Sequence, residues 1–132
     1  MNPTNAPLIL VADDESHILH VVSLKLRNAG YEVITAADGE EGYETAIREK
    51  PDLIITDYQM PLMTGVEMCQ KLREHPELAD TPVLMLTARG FNVADGDLDQ
   101  TNIQDVMSKP FSPREILEKV QELTESEVEP TP

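Results

Sequence analysis

The sequence predicts an α/β domain in which a parallel sheet is covered by helices on both faces. Short apolar runs alternate with longer stretches of helical character, and each run is long enough for a buried strand but too short for a helix. Repeated strand–helix units favour parallel strands, and right-handed crossovers then leave few topologies. The 132 residues have the length of one ordinary domain.

The elements follow from these patterns in chain order. The first strand is expected at Leu8–Ala12, and a helix begins near Ser16 and ends before Gly30. Glycine is typical of helix ends because it adopts left-handed backbone angles at little cost. Further strands are expected at 31–35, 53–56, 83–86 and 105–108, and further helices at 39–49, 66–74 and from Pro113 onward.

The last two helical segments differ in the strength of their signals. Ser112 can cap the final helix, Pro113 suits its first position, and Glu115 completes a capping box. The segment 92–102 carries several Asp residues and a Gly, which are poor residues for a helix interior. We therefore expect a short or irregular fourth helix there, more mobile than the other helices.

Composition excludes several classes of function. There are 25 Asp and Glu against 10 Lys and Arg, a formal charge of −15. Such a chain is not expected to bind nucleic acid directly or to bind anionic membranes, since both need a cationic surface. One cysteine permits no intrachain disulfide, and no apolar run approaches a membrane span, so a cytoplasmic location is expected. We expect a single domain at 8–123, preceded by an extension at 1–7 and followed by an acidic, disordered tail at 124–132.

Polar side chains follow four of the expected strands, at the point where each strand ends. Each has an ordinary explanation when taken alone, since Asp caps helices and occurs in turns and Lys is common on surfaces. Because the carboxyl ends of parallel strands meet at one edge, we expect these side chains to lie together. They are Asp13 and Asp14 after the first strand, Asp57 after the third, Thr87 after the fourth and Lys109 after the fifth.

The grouping has a definite chemistry. Clustered carboxylates raise one another's pKa unless a cation is present, and hard oxygen ligands favour Mg²⁺. A carboxylate can also attack a phosphoryl group and form an aspartyl-phosphate. An ammonium group and a hydroxyl would then neutralise the phosphoryl oxygens.

The pattern Asp13-Asp14, Asp57, Thr87-Ala88 and Lys109-Pro110-Phe111 resembles the receiver domain of two-component response regulators over nearly all of the chain. The resemblance implies a flavodoxin-like fold. In that fold a doubly wound sheet of five parallel strands, in the order 2-1-3-4-5, is flanked by five helices. It also implies a cis bond between Lys109 and Pro110.

The resemblance further implies a role for each site residue. Asp57 would accept a phosphoryl group from a histidine kinase or phosphotransfer protein, and an unknown downstream protein would respond. The chain would be a receiver that stands alone, without an output domain, and it would catalyse only its own phosphorylation and dephosphorylation. Mg²⁺ would be held by Asp13, Asp14, Asp57 and the Gln59 backbone carbonyl, while the phosphoryl group would contact Lys109, Thr87 and the backbone of Tyr58 and Ala88.

One position departs from the family pattern. Three residues before the lysine, where family members usually carry Tyr or Phe, this chain has Val106. A valine cannot present an aromatic ring, so the usual coupling between that ring and the threonine is not expected. Gln59 and Arg89 occupy positions that tune the lifetime of the phosphoryl group in this family.

Two other functional classes share part of this pattern. A Mg²⁺-dependent phosphatase of the haloacid-dehalogenase type also uses an aspartate nucleophile after an apolar strand. It needs a second acid two residues later, where this chain has Gln59, and a cap domain for which we expect no room. A flavin-binding flavodoxin would need a phosphate-binding loop rich in Gly, Ser or Thr after Ala12, and none follows there.

Overall fold

The computed structural model describes residues 6–88 and 101–125. These residues form five β-strands and four α-helices, which we number in chain order. They are β1 (Leu8–Ala12), α1 (Ser16–Asn28), β2 (Glu32–Ala36), α2 (Gly39–Glu49), β3 (Leu53–Asp57), α3 (Gly65–Leu72), β4 (Val83–Thr87), β5 (Ile103–Ser108) and α4 (Pro113–Glu125).

All neighbouring strands are parallel, and the sheet has the order β2-β1-β3-β4-β5. This confirms the predicted fold class and strand order. The described residues contain four helices. The expected irregular helix at 92–102 falls almost wholly outside those residues, as does Arg89.

Helices cover both faces of the sheet because successive strand side chains point to opposite sides. Ile9 and Val11 belong to a buried cluster with residues of α1 and α4, whereas Leu10 and Ala12 belong to a second cluster with residues of α2 and α3. The strands are therefore apolar on both faces, as expected of a buried parallel sheet. Among the described residues, no helix is long and apolar enough to cross a lipid bilayer.

Side-chain caps fix where three of the helices begin. The Asp38 carboxylate accepts from the Glu41 N–H at 2.7 Å at the start of α2. Thr64 and Glu67 form a capping box on α3. The capping box predicted for α4 is confirmed, since the Glu115 N–H donates to Ser112 Oγ at 3.1 Å and the Ser112 N–H donates to Glu115 Oε1 at 2.8 Å.

Some boundaries differ from those expected. β5 begins at Ile103, and its register with β4 is irregular: Val83 pairs with Ile103 but Leu84 pairs with Asp105, which leaves Gln104 as an extra residue. A bulge of this kind disrupts the period-two pattern and hides the start of the strand.

The end of the last helix also lies further along the chain than the sequence indicated. α4 continues through Glu125, two residues into the segment assigned to the tail. Thr124 is buried, its hydroxyl donates to the Val120 carbonyl at 2.8 Å, and it lies 3.3 Å from the Tyr31 hydroxyl. This tertiary contact with the turn before β2 extends the helix. The remaining tail residues lie outside the described part of the chain.

Candidate acidic site at the carboxyl edge of the sheet

The four strand ends identified in the sequence do converge at one edge of the sheet. Asp13 directly follows β1, Asp57 is the last residue of β3, and Lys109 directly follows β5. An open cleft lies between them. Its lining consists of Asp14, Glu15, Asp57, Gln59, Ala88 and Lys109.

Three carboxylates in this cleft lie close enough to share one metal ion. One oxygen of each of Asp13, Asp14 and Asp57 lies within 4.8 Å of the others. Asp13 and Asp57 are buried, whereas Asp14 is exposed. Hard oxygen donors with one open side fit Mg²⁺, which retains several waters and takes few protein ligands.

The Lys109 ammonium lies among these acids. Its Nζ is 3.0 Å from Asp13 Oδ2, 2.7 Å from Glu15 Oε1 and 3.5 Å from Asp57 Oδ1. The bond between Lys109 and Pro110 is cis, as the resemblance implied. Of the three acids around the lysine, Asp57 is therefore the most distant.

The burial and clustering of these charges shift their pKa values. Burial, followed by the negative charge of Asp13, raises the pKa of Asp57 to about 6, although Lys109 opposes the change. Burial also raises the pKa of Asp13, against the hydrogen bonds from Glu15 and Lys109. Folding therefore places two carboxylates where the charged form is disfavoured, which is a setting that a bound cation relieves.

Lys109 and Glu15 shift in the directions that favour their charged forms. Burial lowers the pKa of Lys109, but its hydrogen bonds to Glu15 and Asp13 outweigh burial and the pKa is raised. The hydrogen bond from Lys109 lowers the pKa of Glu15. Both groups are therefore charged at neutral pH.

Thr87 lies at the edge but is turned away from the cleft. The residue is fully buried, and its hydroxyl reaches the Met107 carbonyl on β5 at 3.5 Å. Its neighbour Ala88 is exposed and lines the cleft. The Thr87 hydroxyl would have to rotate to reach a group bound to Asp57.

The Tyr58 backbone is hydrogen-bonded on both sides within the fold. Its N–H donates to the Leu86 carbonyl at 2.8 Å and its carbonyl accepts from the Gly65 N–H at 2.8 Å. The N–H thus extends the hydrogen bonding of β3 with β4. A contact between the Tyr58 backbone and a phosphoryl group stays a prediction.

Val106 lies on β5, half-buried against the cluster that contains residues of α2 and α3. It pairs in register with Met85. The position that usually carries an aromatic ring therefore holds a small apolar side chain that packs on the sheet.

Sequence reasoning missed Glu15. This residue immediately precedes α1 at the N-cap position, yet its side chain makes no capping hydrogen bond and contacts Lys109 instead. Glutamate is not among the residues preferred at that position. This departure from capping preference, next to two acids, was the signal available in the sequence.

Comparisons with known proteins agree with the geometry. Residues 9–121 match the profile of the response regulator receiver domain family. The chain is 43% identical over 117 residues to the alkaline phosphatase synthesis transcriptional regulatory protein PhoP of Bacillus subtilis, covering 85% of this chain and 46% of that protein. The chain thus spans about half the length of the curated relatives that it matches.

Solved structures give the same result. The chemotaxis response regulator CheY4 of Vibrio cholerae superposes with a TM-score of 0.83 at 35% identity, covering 90% of this chain and 99% of that one. The receiver domain of the sensor histidine kinase PA1611 from Pseudomonas aeruginosa superposes with a TM-score of 0.78 at 26% identity, over 89% of this chain and 96% of that one. In that neighbour's structure a magnesium ion is coordinated in the active site cleft.

The family match covers most of the chain, and the parallel sheet carries its acids and lysine at one edge. The family match and this geometry together favour a signalling module over the phosphatase and flavodoxin alternatives. The chain belongs to the receiver domain family of two-component response regulators.

Proposed function

We propose that this receiver is a phosphorylation-dependent switch in which Asp57 accepts the phosphoryl group from a histidine kinase or phosphotransfer protein. One observation carries the proposal. Asp57 ends the central strand β3 beside the acids Asp13 and Asp14, with an ammonium group 3.5 Å from its carboxylate. A nucleophilic carboxylate, oxygen ligands for a cation and a fixed positive charge are the parts that phosphoryl transfer requires.

In the proposed step, a carboxylate oxygen of Asp57 attacks the phosphorus atom of the donor. A new O–P bond forms, the bond between phosphorus and the donor nitrogen breaks, and the donor histidine keeps the electron pair. Hydrolysis reverses the state: water attacks phosphorus, the O–P bond to Asp57 breaks, and inorganic phosphate leaves. The first step converts the Asp57 carboxylate to an acyl phosphate, and hydrolysis regenerates the carboxylate with water as the only further reactant.

The residues around Asp57 take distinct roles in this proposal. Asp13, Asp14, Asp57 and the Gln59 backbone carbonyl would hold Mg²⁺, which supplies positive charge to the phosphoryl oxygens. Lys109 supplies a second positive charge, and the Ala88 N–H and the Thr87 hydroxyl supply hydrogen bonds. The buried Thr87 must change rotamer to do so, which ties the phosphorylated state to a change at β4.

The proposed output is recognition by another protein. With a formal charge of −15, the chain is poorly suited to direct contact with nucleic acid. The names of two relatives describe transcriptional regulators, and such an activity would reach this protein only through segments or partners beyond the receiver fold. We propose that the partner distinguishes the two states of the β4–β5 side of the site.

The test is incubation with Mg²⁺ and acetyl phosphate, or phosphoramidate as a donor with a P–N bond, followed by intact mass. One added phosphoryl group is expected on the wild type and none on Asp57→Asn. Asp80→Asn is the matched control, because Asp80 is exposed near the opposite end of β4 and loses the same charge. Full labelling of Asp57→Asn would reject the acceptor. Multiple turnover of free phosphate esters, in place of stoichiometric labelling, would indicate a phosphatase.

A further inference from the structure

The backbone of Glu15 is hydrogen-bonded to the acidic site, whereas its side chain makes no hydrogen bond to the helix that it precedes. Its N–H donates to Asp13 Oδ1 at 2.9 Å. Its backbone is extended, with φ −94° and ψ 109°, and its side chain makes no capping bond to α1. Residues with short oxygen side chains are preferred at this position because they cap the helix. A long carboxylate fixed here is instead directed into the cleft.

The Lys109 ammonium is shared unequally. It has three N–H donors, and its shortest contact, 2.7 Å, is with Glu15 rather than with the Asp57 carboxylate 3.5 Å away. The Lys109 side chain is 19% exposed and that of Glu15 is 59% exposed. The pair therefore lies at the mouth of the cleft, where Glu15 can be displaced without unfolding any element.

We propose that Glu15 is a positioning residue that competes with Asp57 for the Lys109 ammonium in the unphosphorylated protein and releases it to the phosphoryl group. This inference rests on the function proposed above and adds a regulatory element to the same site. Glu15 then restrains phosphorylation, because its pair with Lys109 must open before the lysine can stabilise the transferring group.

The exchange is energetically reasonable. A partly exposed ion pair is weak, so its opening restrains the reaction only modestly. A phosphoryl group brings about two negative charges and three acceptor oxygens, whereas Glu15 offers one charge. The ammonium therefore prefers the phosphoryl group once it is present. Removing Glu15 is expected to speed phosphorylation by about two- to fivefold, the range that follows from the strength of exposed pairs.

The experiment compares Glu15→Gln and Glu15→Ala with the wild type in the full chain. The initial rate of phosphorylation by acetyl phosphate is measured by intact mass at saturating Mg²⁺, which removes differences in metal affinity. The control is Glu44→Gln, an exposed acid on α2 that loses the same charge away from the cleft. We expect both Glu15 variants to be faster than the wild type and Glu44→Gln to match it.

A second measurement reports the pair itself. The side-chain NMR signal of Lys109 is compared between the wild type and Glu15→Gln, without ligand and with Mg²⁺ and beryllofluoride as a phosphoryl analogue. We expect the two proteins to differ without ligand and to coincide with the analogue bound, because Lys109 has by then left Glu15. A residue that merely supports the fold would not give this dependence on the analogue.

The outcomes separate the two proposals. A wild type that takes no label rejects the proposed function, whatever the Glu15 variants do. If the wild type is labelled, three results overturn the role of Glu15. They are unchanged rates in both Glu15 variants, an equal increase in Glu44→Gln, and a Lys109 signal that is the same in both proteins without ligand or that still differs with the analogue bound.

Discussion

The two halves of the carboxyl edge of the sheet are held in different ways. On the β1–β3 half, the backbone fixes the acids. The Asp13 N–H donates to the Ala36 carbonyl at 3.1 Å, and its carboxylate accepts from the Glu15 N–H at 2.9 Å. The Asp57 carbonyl lies so close to Gly65 that a Cβ there would be 2.4 Å from it.

On the β4–β5 half, longer and competing contacts hold the side chains. The Thr87 hydroxyl reaches Met107 at 3.5 Å, and Lys109 divides its bonds among three acids. β5 also carries the bulge at Gln104. The comparison indicates that the backbone fixes the β1–β3 half, whereas the β4–β5 half can change its contacts at low cost. The following predictions test this difference.

The largest effect is expected when the rigid half is disturbed at Gly65. In Gly65→Ala the new methyl group would meet the Asp57 carbonyl at 2.4 Å, and a backbone oxygen cannot move aside without shifting β3 or α3. We expect a loss of about 3 kcal/mol in the free energy of unfolding, at the upper end for overpacking. Labelling of Asp57 should fall as well. Urea unfolding and intact mass measure the two effects.

Gly42→Ala is the matched control for that variant. Its nearest contact would be Met68 Sδ at 2.9 Å, the flexible part of a side chain, and Gly42 lies inside α2. Alanine is favoured over glycine in a helix by about 1 kcal/mol, which offsets the crowding. We expect little net change. Equal losses in the two variants would mean that the backbone around Asp57 is no more rigid than elsewhere.

The second effect is the change in stability with pH that the Asp57 carboxylate causes. Folding raises the pKa of Asp57 from 3.8 to about 6, so between these values the folded state binds more protons than the unfolded state. The stability of the metal-free protein should therefore fall as the pH rises through this range and stay lower above pH 6. We expect a loss of about 2 kcal/mol that Asp57→Asn lacks, since an amide does not titrate there.

Urea unfolding near pH 4 and near pH 7, without Mg²⁺, measures this difference. Asp80→Asn removes an exposed acid outside the cluster and should keep the slope of the wild type. If Asp57→Asn loses as much stability as the wild type over the same range, then the Asp57 carboxylate is not destabilised by folding.

The third effect is the response to Mg²⁺. An ion that binds the folded cluster stabilises it by about RT ln 11, roughly 1.4 kcal/mol, at ten times the dissociation constant. For a domain of this size the melting temperature should rise by about 3–6 °C. Asp14→Asn should stabilise the metal-free protein by relieving repulsion and should lose most of the rise. Monovalent salt at the same ionic strength separates screening from binding. A wild-type melt that Mg²⁺ moves no further than salt does, or a full shift in Asp14→Asn, would contradict the metal site.

The smallest effect compares two fully buried hydroxyls, one in each half. Thr56 donates to the Asp57 carbonyl at 3.1 Å, whereas Thr87 reaches Met107 only at 3.5 Å. Thr56→Val should lower the free energy of unfolding by about 1 kcal/mol. Thr87→Val should lower it by less than about 0.5 kcal/mol, because a weaker hydrogen bond is lost. Chemical unfolding of the wild type and both variants measures the two losses. A larger cost for Thr87→Val would show that the β4–β5 half is as firmly held as the other.

Local sequence determined the fold class and the position of the acids. Apolar runs such as 8–12 and 53–56 are typical of strands buried on both faces, and strands that alternate with helices favour a parallel sheet. The carboxyl ends of parallel strands share an edge, so Asp13, Asp57 and Lys109 had to meet there. The fold class and the shared edge both follow from local patterns and the topology, without knowledge of any particular side-chain contact.

Tertiary structure alone decided which groups in the cleft pair with one another. Asp13 and Asp14 are adjacent in sequence, yet the first is fully buried and the second is exposed. Glu15 and Lys109 are 94 residues apart, and their contact depends on the distance between two strand ends. The Thr87 rotamer and the bulge at Gln104 also follow from packing across the sheet. Periodicity predicts which face a residue occupies, but competition among neighbouring groups for one hydrogen-bond partner is settled only when all of them are in place.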